Sequence, residues 1–443
     1  MASVKKKSFV SQIVRIFANC ISMRYGMSKR WFIALLLLPA LHVGAQGIRL
    51  TRYDAPNALY LYADHLYNYN MYERSRIELA MAWITPNENA ATRRQVVGQW
   101  SLRPYIAYST GDRALKYGLA TQLRLKGVRN VRLWLWASND LERAASRRME
   151  GYHLLEPSLN DGLVSSRFVG VKGGGMGVKL PPRYGMELTM GVRQTWEDYR
   201  FDSSSLLYPN REEERRAEVR PFTEIQGRWR WDHIGNGHSS TTVELCAGRA
   251  AGNEVDHYWR ALAQYDGNLL GEEQPAVQTF RPVGLHLFAQ VGFASAEAPY
   301  CRMFDLSGTA NAPYYFRNTF LTVRPNSFTA NLFAHLCLNY TAPLPLRELS
   351  WSAPRPFLQL NAMWGHLLQQ DATGQRLWEG LPLQSPNKGL LEPATGFVGL
   401  IHWGLTDIGM GVAYQLCPAS APYWSEDIDD KIAFLIVADL ILK

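Results

Sequence analysis

The sequence predicts an all-β chain: a transmembrane antiparallel β-barrel of about 16 strands with one long loop folded into its lumen. Three observations carry this. Apolar and polar residues alternate with period two over runs longer than soluble strands need. Short connectors are interspersed with long polar ones. A leader-like segment precedes the whole pattern.

The leader is residues 1–45. Within it, 28–45 (SKRWFIALLLLPALHVGA) has basic Lys29 and Arg30, an apolar run from Trp31 to Leu41, and small residues ending at Ala45. That is the layout of a cleaved secretory signal peptide, with Met27 a plausible true start. The apolar run falls short of the ~20 residues of a spanning helix. The segment holds seven basic and no acidic residues, so the 47 basic residues fall to 40 beyond it, against 39 acidic ones. The strongly basic balance therefore belongs to the leader, and nucleic-acid binding by charge has no support.

Residues 46–75 are Tyr- and Asn-rich (YLYADHLYNYNMY at 60–72) and read as a lead-in or a first strand. The barrel is then assigned to 76–443. In 76–83 Ile77, Leu79, Met81 and Trp83 share one face, and Arg76, Glu78, Ala80 and Ala82 the other. In 114–126 Leu115, Tyr117, Leu119, Leu123 and Leu125 oppose Lys116, Gly118, Ala120, Gln122 and Arg124. Further runs follow at 97–109, 130–138, 163–180, 184–196, 218–231, 239–249, 256–265, 281–294, 329–340, 355–365, 395–405, 407–416 and 431–442. With 76–84, 114–126 and a strand in 46–70 they total 16, and most meet the ~9–11 residues of a tilted membrane strand. Short connectors at 110–113, 126–130 and 406–407 read as periplasmic. Long ones at 139–162, 201–217, 266–280 and 366–394 read as extracellular.

The inward face is polar and mixed in sign: Arg124, Glu187, Arg193, Glu224, Arg228, Arg230, Gln290, His335 and His402. Aromatics gather at strand ends, as in WLW (134–136) and WRW (229–231), as an interfacial girdle requires. The rival fold is a soluble β-sandwich with those aromatics as core. Four cysteines lie beyond the leader, Cys246, Cys301, Cys337 and Cys417, with no close CxxC pair. They read as buried thiols, with Cys301–Cys417 the pairing to expect if one bridge forms.

The long loop is 295–328. VGLHLFAQVGFA (283–294) alternates before it and ANLFAHLCLNY (330–340) alternates after it. A loop of that length is functional or disordered, and this one is too aromatic to be disordered. It is expected in the lumen with Arg324 at its tip beside Pro325, Asn326 and Phe328. A desolvated arginine needs acidic partners, and Glu187, Glu224 and Asp439 face the right way.

Catalysis is not expected. No G-x-S-x-G nucleophile motif occurs, and the histidines at 286, 335 and 402 fall on the lumen side. HIGNGH (233–238) reads as a hairpin turn rather than a metal site, and GGGMG (173–177) as strand rather than phosphate loop. No metal or cofactor is implied.

Several stretches together resemble a Gram-negative family of outer-membrane barrels whose usual members carry an N-terminal carboxypeptidase-regulatory-like domain. They are YERSRIELAMA (72–82), WSLRPYIAYSTGDRALKYGLATQLRL (100–125), the SNDLE turn (138–142), FRNTFLTVRPNSFTANLFAHLCLNY (316–340), and GLLEPATGFVGL with IGMGVAYQL in 389–416. That family is in turn similar to the 16-stranded barrel-assembly and two-partner-secretion superfamily, where a loop before the twelfth strand presents an arginine in a V-R-G-aromatic tip. Here Pro325 replaces that glycine, Lys443 ends the chain in place of the common aromatic, and little room is left for a regulatory-like or client-receiving domain. The resemblance implies an outer-membrane protein surrounded by lipid and associated with other envelope proteins, as a subunit or scaffold in biogenesis or secretion. A passive channel and a surface adhesion barrel are the rivals.

Overall fold

The computed structural model of the chain describes residues 48–52, 55–62, 67–70, 74–85, 98–125, 131–143, 167–201, 215–216, 220–233, 239–251, 255–270, 283–306, 320–323, 327–346, 349, 351–369, 375–378, 381–403, 406–417 and 431–440. The expected signal peptide lies outside them. Sixteen strands follow one another: β1 (Ala58–Tyr62 and Tyr67–Asn70), β2 (Arg74–Thr85), β3 (Gly98–Ser109), β4 (Leu115–Leu125), β5 (Arg132–Arg143), β6 (Arg167–Arg183), β7 (Met186–Phe201) and β8 (Arg220–His233). Then come β9 (Ser239–Ala251), β10 (Val255–Leu270), β11 (Gly284–Ala294), β12 (Leu332–Thr341), β13 (Arg355–His366), β14 (Leu390–Trp403), β15 (Thr406–Tyr414) and β16 (Ile432–Leu440).

Each strand pairs antiparallel with the next, forming an up-and-down meander from β1 to β16. The two runs of β1 share one partner, β2, and so form one interrupted strand. Among the described residues no pairing joins β16 to β1, so the sheet is not closed.

Period-two alternation sets the two faces. Outward stand Ile77, Leu79, Met81 and Trp83 of β2, Leu115, Tyr117 and Leu119 of β4, Met190 and Val192 of β7, Leu358 and Leu360 of β13, and Met410 and Val412 of β15, all exposed. Inward and buried are Arg76, Glu78, Lys116, Asp140, Arg193, Glu197, Glu224, Asn361 and Glu392. A water-soluble sandwich has the reverse pattern, whereas apolar-out and polar-in is that of a membrane barrel. The inner wall near the first strands is tied across the sheet. Arg76 on β2 donates to Asp140 on β5 at 2.6 and 2.9 Å, and the Tyr105 hydroxyl on β3 donates to Asp140 at 2.7 Å.

Between β11 and β12 the loop turns inward and becomes the core. Its residues Ala298, Tyr300, Met303, Phe304, Leu306, Phe320, Val323 and Phe328 form one buried cluster with Val169 and Val171 of β6, Phe222 of β8, Tyr258 of β10, Phe333 of β12 and Met363 of β13. Leu321 packs with Phe357 of β13, Ala394 of β14, Ala413 of β15 and Ala433 of β16. One loop touching strands from β6 to β16 on the same face requires the sheet to curl around it. The neck is stitched by Asn331, whose Nδ2 donates to Ser295 O at 3.0 Å and whose Oδ1 accepts from Leu368 N at 3.0 Å.

Several expectations need correction. The SNDLE segment is not a turn: it lies inside β5 and carries Asp140 to Arg76. Strand parity puts 110–113 at the same end as the long loops, because it joins an odd strand to an even one. Conversely, β10 extends to Leu270, so the connector expected at 266–280 starts later and lies at the short-turn end. The stretch 366–394 contains a hairpin, Gln375–Trp378 with Leu381–Gln384, and β14 already begins at Leu390. Residues 329–330 form a small ladder with Phe304–Asp305 inside the loop rather than the start of β12. All four described cysteines are free thiols, so the Cys301–Cys417 bridge does not form.

Candidate functional site: two anchors of the inserted loop

The first anchor begins with a proline. Pro299 precedes a single 3-10 turn, Tyr300–Arg302, closed by Arg302 N–H donating to Pro299 O at 2.8 Å and Met303 N–H donating to Tyr300 O at 3.1 Å. This turn aims the Arg302 side chain at the wall of β7 and β8. There the register sets Glu224 directly opposite Arg193, and Glu197 lies four residues along β7 on the same face.

Arg302 uses its planar fork twice. Nε and Nη2 donate to Glu224 at 2.6 and 2.9 Å, while Nη2 and Nη1 donate to Glu197 at 3.0 and 3.2 Å. The guanidinium lies 4.5 Å from the Phe222 ring centroid, a cation–π stack in a desolvated place. Arg302 is 3% exposed, Glu197 0% and Glu224 1%.

Other donors complete the cluster. The Tyr258 hydroxyl donates to Glu224 at 2.8 Å and the Thr195 hydroxyl to Glu197 at 2.8 Å. Arg193 Nε lies 3.2 Å from Glu224 and Nη2 3.6 Å from Glu197. Two guanidinium groups thus meet two carboxylates, and the buried charge balances. Burying such ions is favourable only with dense, well-aimed hydrogen bonding, which the Arg302 fork and the Tyr258 and Thr195 hydroxyls supply to the two carboxylates. The Cys301 thiol accepts from Arg302 Nη1 at 2.9 Å, and the Cys246 thiol donates to Glu224 at 3.4 Å.

The second anchor lies across the inner space. Glu392 of β14, fully buried, accepts from Leu321 N–H at 2.8 Å, Thr322 N–H at 2.7 Å, the Thr322 hydroxyl at 2.6 Å and Asn361 Nδ2 of β13 at 3.0 Å. The loop supplies three of these four donors, two of them backbone N–H groups. Phe320, just before them, tilts against the His335 ring of β12 at 5.2 Å between centroids.

Of the residues expected at the loop tip, Phe328 is described and buried in the core cluster. Arg324, Pro325 and Asn326 lie outside the described residues. Among the expected partners, Glu224 does hold a loop arginine, but that arginine is Arg302. Glu187 pairs instead with Lys179 of β6 at 2.8 Å. Asp439 has its backbone paired with Asp407, and its side chain is outside the described set. Sequence reasoning missed Arg302 and Glu392. The available signals were a second acid at 197, on the same strand face as Arg193 and assigned no loop arginine, and a Glu followed by Pro393 inside an alternating run.

No protein-family model matches the sequence, and no curated protein matches it. Among solved structures the chain is similar to BamA from Haemophilus ducreyi lacking POTRA domains 1–3, at 8% identity and a TM-score of 0.47, over 84% of this chain and 69% of that one. It is also similar to CdiB from Escherichia coli, at 11% identity and a TM-score of 0.41, over 87% of this chain and 62% of that one. CdiB from Acinetobacter baumannii matches at 11% identity and a TM-score of 0.37, over 83% of this chain and 57% of that one. The chain therefore spans less than two thirds of either CdiB.

Proposed function

We propose that this chain is an outer-membrane β-barrel protein of a Gram-negative envelope that serves outer-membrane protein biogenesis or secretion as a subunit or scaffold. The observation that carries the reading is a lumen occupied by a loop held at two places, Arg302 on β7 and β8 and Leu321–Thr322 on β14. A passive pore needs an open lumen, and a loop anchored on both sides of the wall works against one. The exposed aliphatic and aromatic outer face supports lipid around the barrel. The place of the loop before the twelfth strand supports the biogenesis-or-secretion class through the sequence resemblance.

The proposed role is structural rather than catalytic, with no cofactor, metal or nucleic acid. His286 and His335 point to the inner side, where Asp266 and the Phe288 and Phe320 rings meet them, and not to the outer wall where a lipid-cleaving pair would stand. Other envelope proteins are the proposed partners.

Gentle detergent extraction of outer membranes, native sizing and identification of co-purifying proteins test this. Stable recovery with envelope assembly or secretion components is expected, together with negligible conductance in a planar bilayer. Recovery as a lone, conducting barrel overturns the reading in favour of a channel. An undisturbed complex whose only phenotype is lost on deleting the long loops points to adhesion.

A further inference from the structure

The two ends of the meander differ in what covers their free edges. β1 gives one edge to β2. Against its other edge lies the segment that precedes it in the chain. Ile48 stands opposite Leu61 and Arg49 opposite Tyr60. The ladder runs on as Leu50 N–H donates to Leu59 O at 2.8 Å and Leu59 N–H donates to Thr51 Oγ1 at 3.2 Å. The Arg49 guanidinium lies 5.8 Å from the Tyr60 ring centroid and donates to Arg52 O at 3.0 Å.

Strand direction shows which part of the seam is involved. Ala58 pairs with Ile84, next to the β2–β3 connector, so β1 starts at the short-turn end. Leu440 pairs with Thr406, next to the β14–β15 turn, so β16 finishes at that same end. The covered stretch of β1, residues 59–61, is thus the stretch that the C-terminal half of β16 would meet. A strand edge presents one row of N–H and C=O groups and pairs with one neighbour at a time.

We propose that the outer edge of β1 at 59–61 is a β-strand acceptor site, taken by residues 48–51 in competition with the C-terminal half of β16. Residues 48–51 thereby hold the short-turn half of the seam apart and shield the first strand from adventitious strand addition. The far half of β1, Tyr67–Asn70, is not covered by them. A few backbone hydrogen bonds hold 48–51, while β16 offers a longer run, so the occupant can exchange. The inference rests on strand topology and holds whatever task the barrel performs.

The test places the photo-crosslinking residue p-benzoylphenylalanine at Ile48 or, separately, at Ala438 of the full chain in membranes, and maps the products by mass spectrometry. The expected result is crosslinking from position 48 to 58–62 and almost none from 438 to 58–62. Deleting 48–51 should raise the 438-to-β1 product several-fold. Leu50→Pro, which removes one donor without shortening the chain, should raise it part of the way. Equal 438-to-β1 yield in all three chains, or none in any, overturns the proposal. Heat-dependent gel mobility of the same samples reports barrel folding independently, so a failure of the barrel reading is distinguished from a failure of the seam competition.

Discussion

Arg302 concentrates in one side chain the first of the loop's two anchors. Removing it leaves Glu197 and Glu224 buried beside Arg193 without the fork that bridges them. Breaking a buried ion pair from one side costs about 3–5 kcal/mol. Arg302→Ala should therefore lower the temperature of the heat-dependent gel shift and open 295–306 to protease while the barrel remains inserted. Arg302→Lys should recover little, because a point-like ammonium cannot serve two carboxylates as a planar fork does. Arg324→Ala bears on the other end of the loop, two residues beyond the Thr322 held by Glu392, and should raise cleavage across 310–328 only. Unchanged protection of 295–306 in Arg302→Ala would show that apolar packing alone holds the loop.

At the scale of elements, β6 shows how the wall accommodates large rings. Gly175 and Gly177 of β6 and Gly191 of β7 lie where Trp134 and Trp136 of β5 reach across. A methyl group at Gly191 would meet Trp134 Cζ2 at 2.5 Å and Cη2 at 2.6 Å before the Met176 carbonyl oxygen at 2.9 Å, whereas at Gly177 the nearest atom it would press on is the Met190 carbonyl oxygen, ahead of the Trp134 ring. Either alanine should destabilise the barrel by roughly 1–3 kcal/mol. Trimming the ring with Trp134→Phe should rescue Gly191→Ala more than Gly177→Ala, since a backbone carbonyl cannot step aside as a side chain can and the carbonyl is the nearest atom only at Gly177. Thermal gel-shift midpoints of the four variants check this, and equal rescue would refute it. The strands themselves were legible in the sequence because their signal is local: period two, apolar outward, polar inward. Errors arose where composition and register disagree. Ser138-Asn139-Asp140 has turn composition, yet register turns Asp140 inward to an arginine 64 residues away. Asp266-Gly267-Asn268 reads as loop, yet β10 passes through it with a bulge and brings Asp266 to His286 at 2.6 Å. The site was less legible than the strands. A loop carries no period, and Arg302 meets its partners 105 and 78 residues upstream.

Across the whole molecule, the two anchors act on different arcs of one wall. Arg302 belongs to β7 and β8, Glu392 to β13 and β14, and they share no hydrogen-bonding partner. Distant sites without shared partners add to within about 0.3–0.5 kcal/mol, so stability losses in Arg302→Ala and Glu392→Gln should sum in the double variant. Glu392→Gln on its own presents an amide to donors that need an acceptor, and leaving such buried groups poorly matched costs roughly 1–3 kcal/mol. Conductance should behave differently from stability. Freeing one end leaves the loop pinned at the other and tethered at its neck by Asn331, so each single variant should stay near silent in a planar bilayer. Only the double variant lets the span between the anchors leave the lumen, and it alone should conduct. Substantial current through Arg302→Ala by itself would mean that one anchor carries the whole obstruction, and the loop would then be a hinged gate rather than a strut held at both ends.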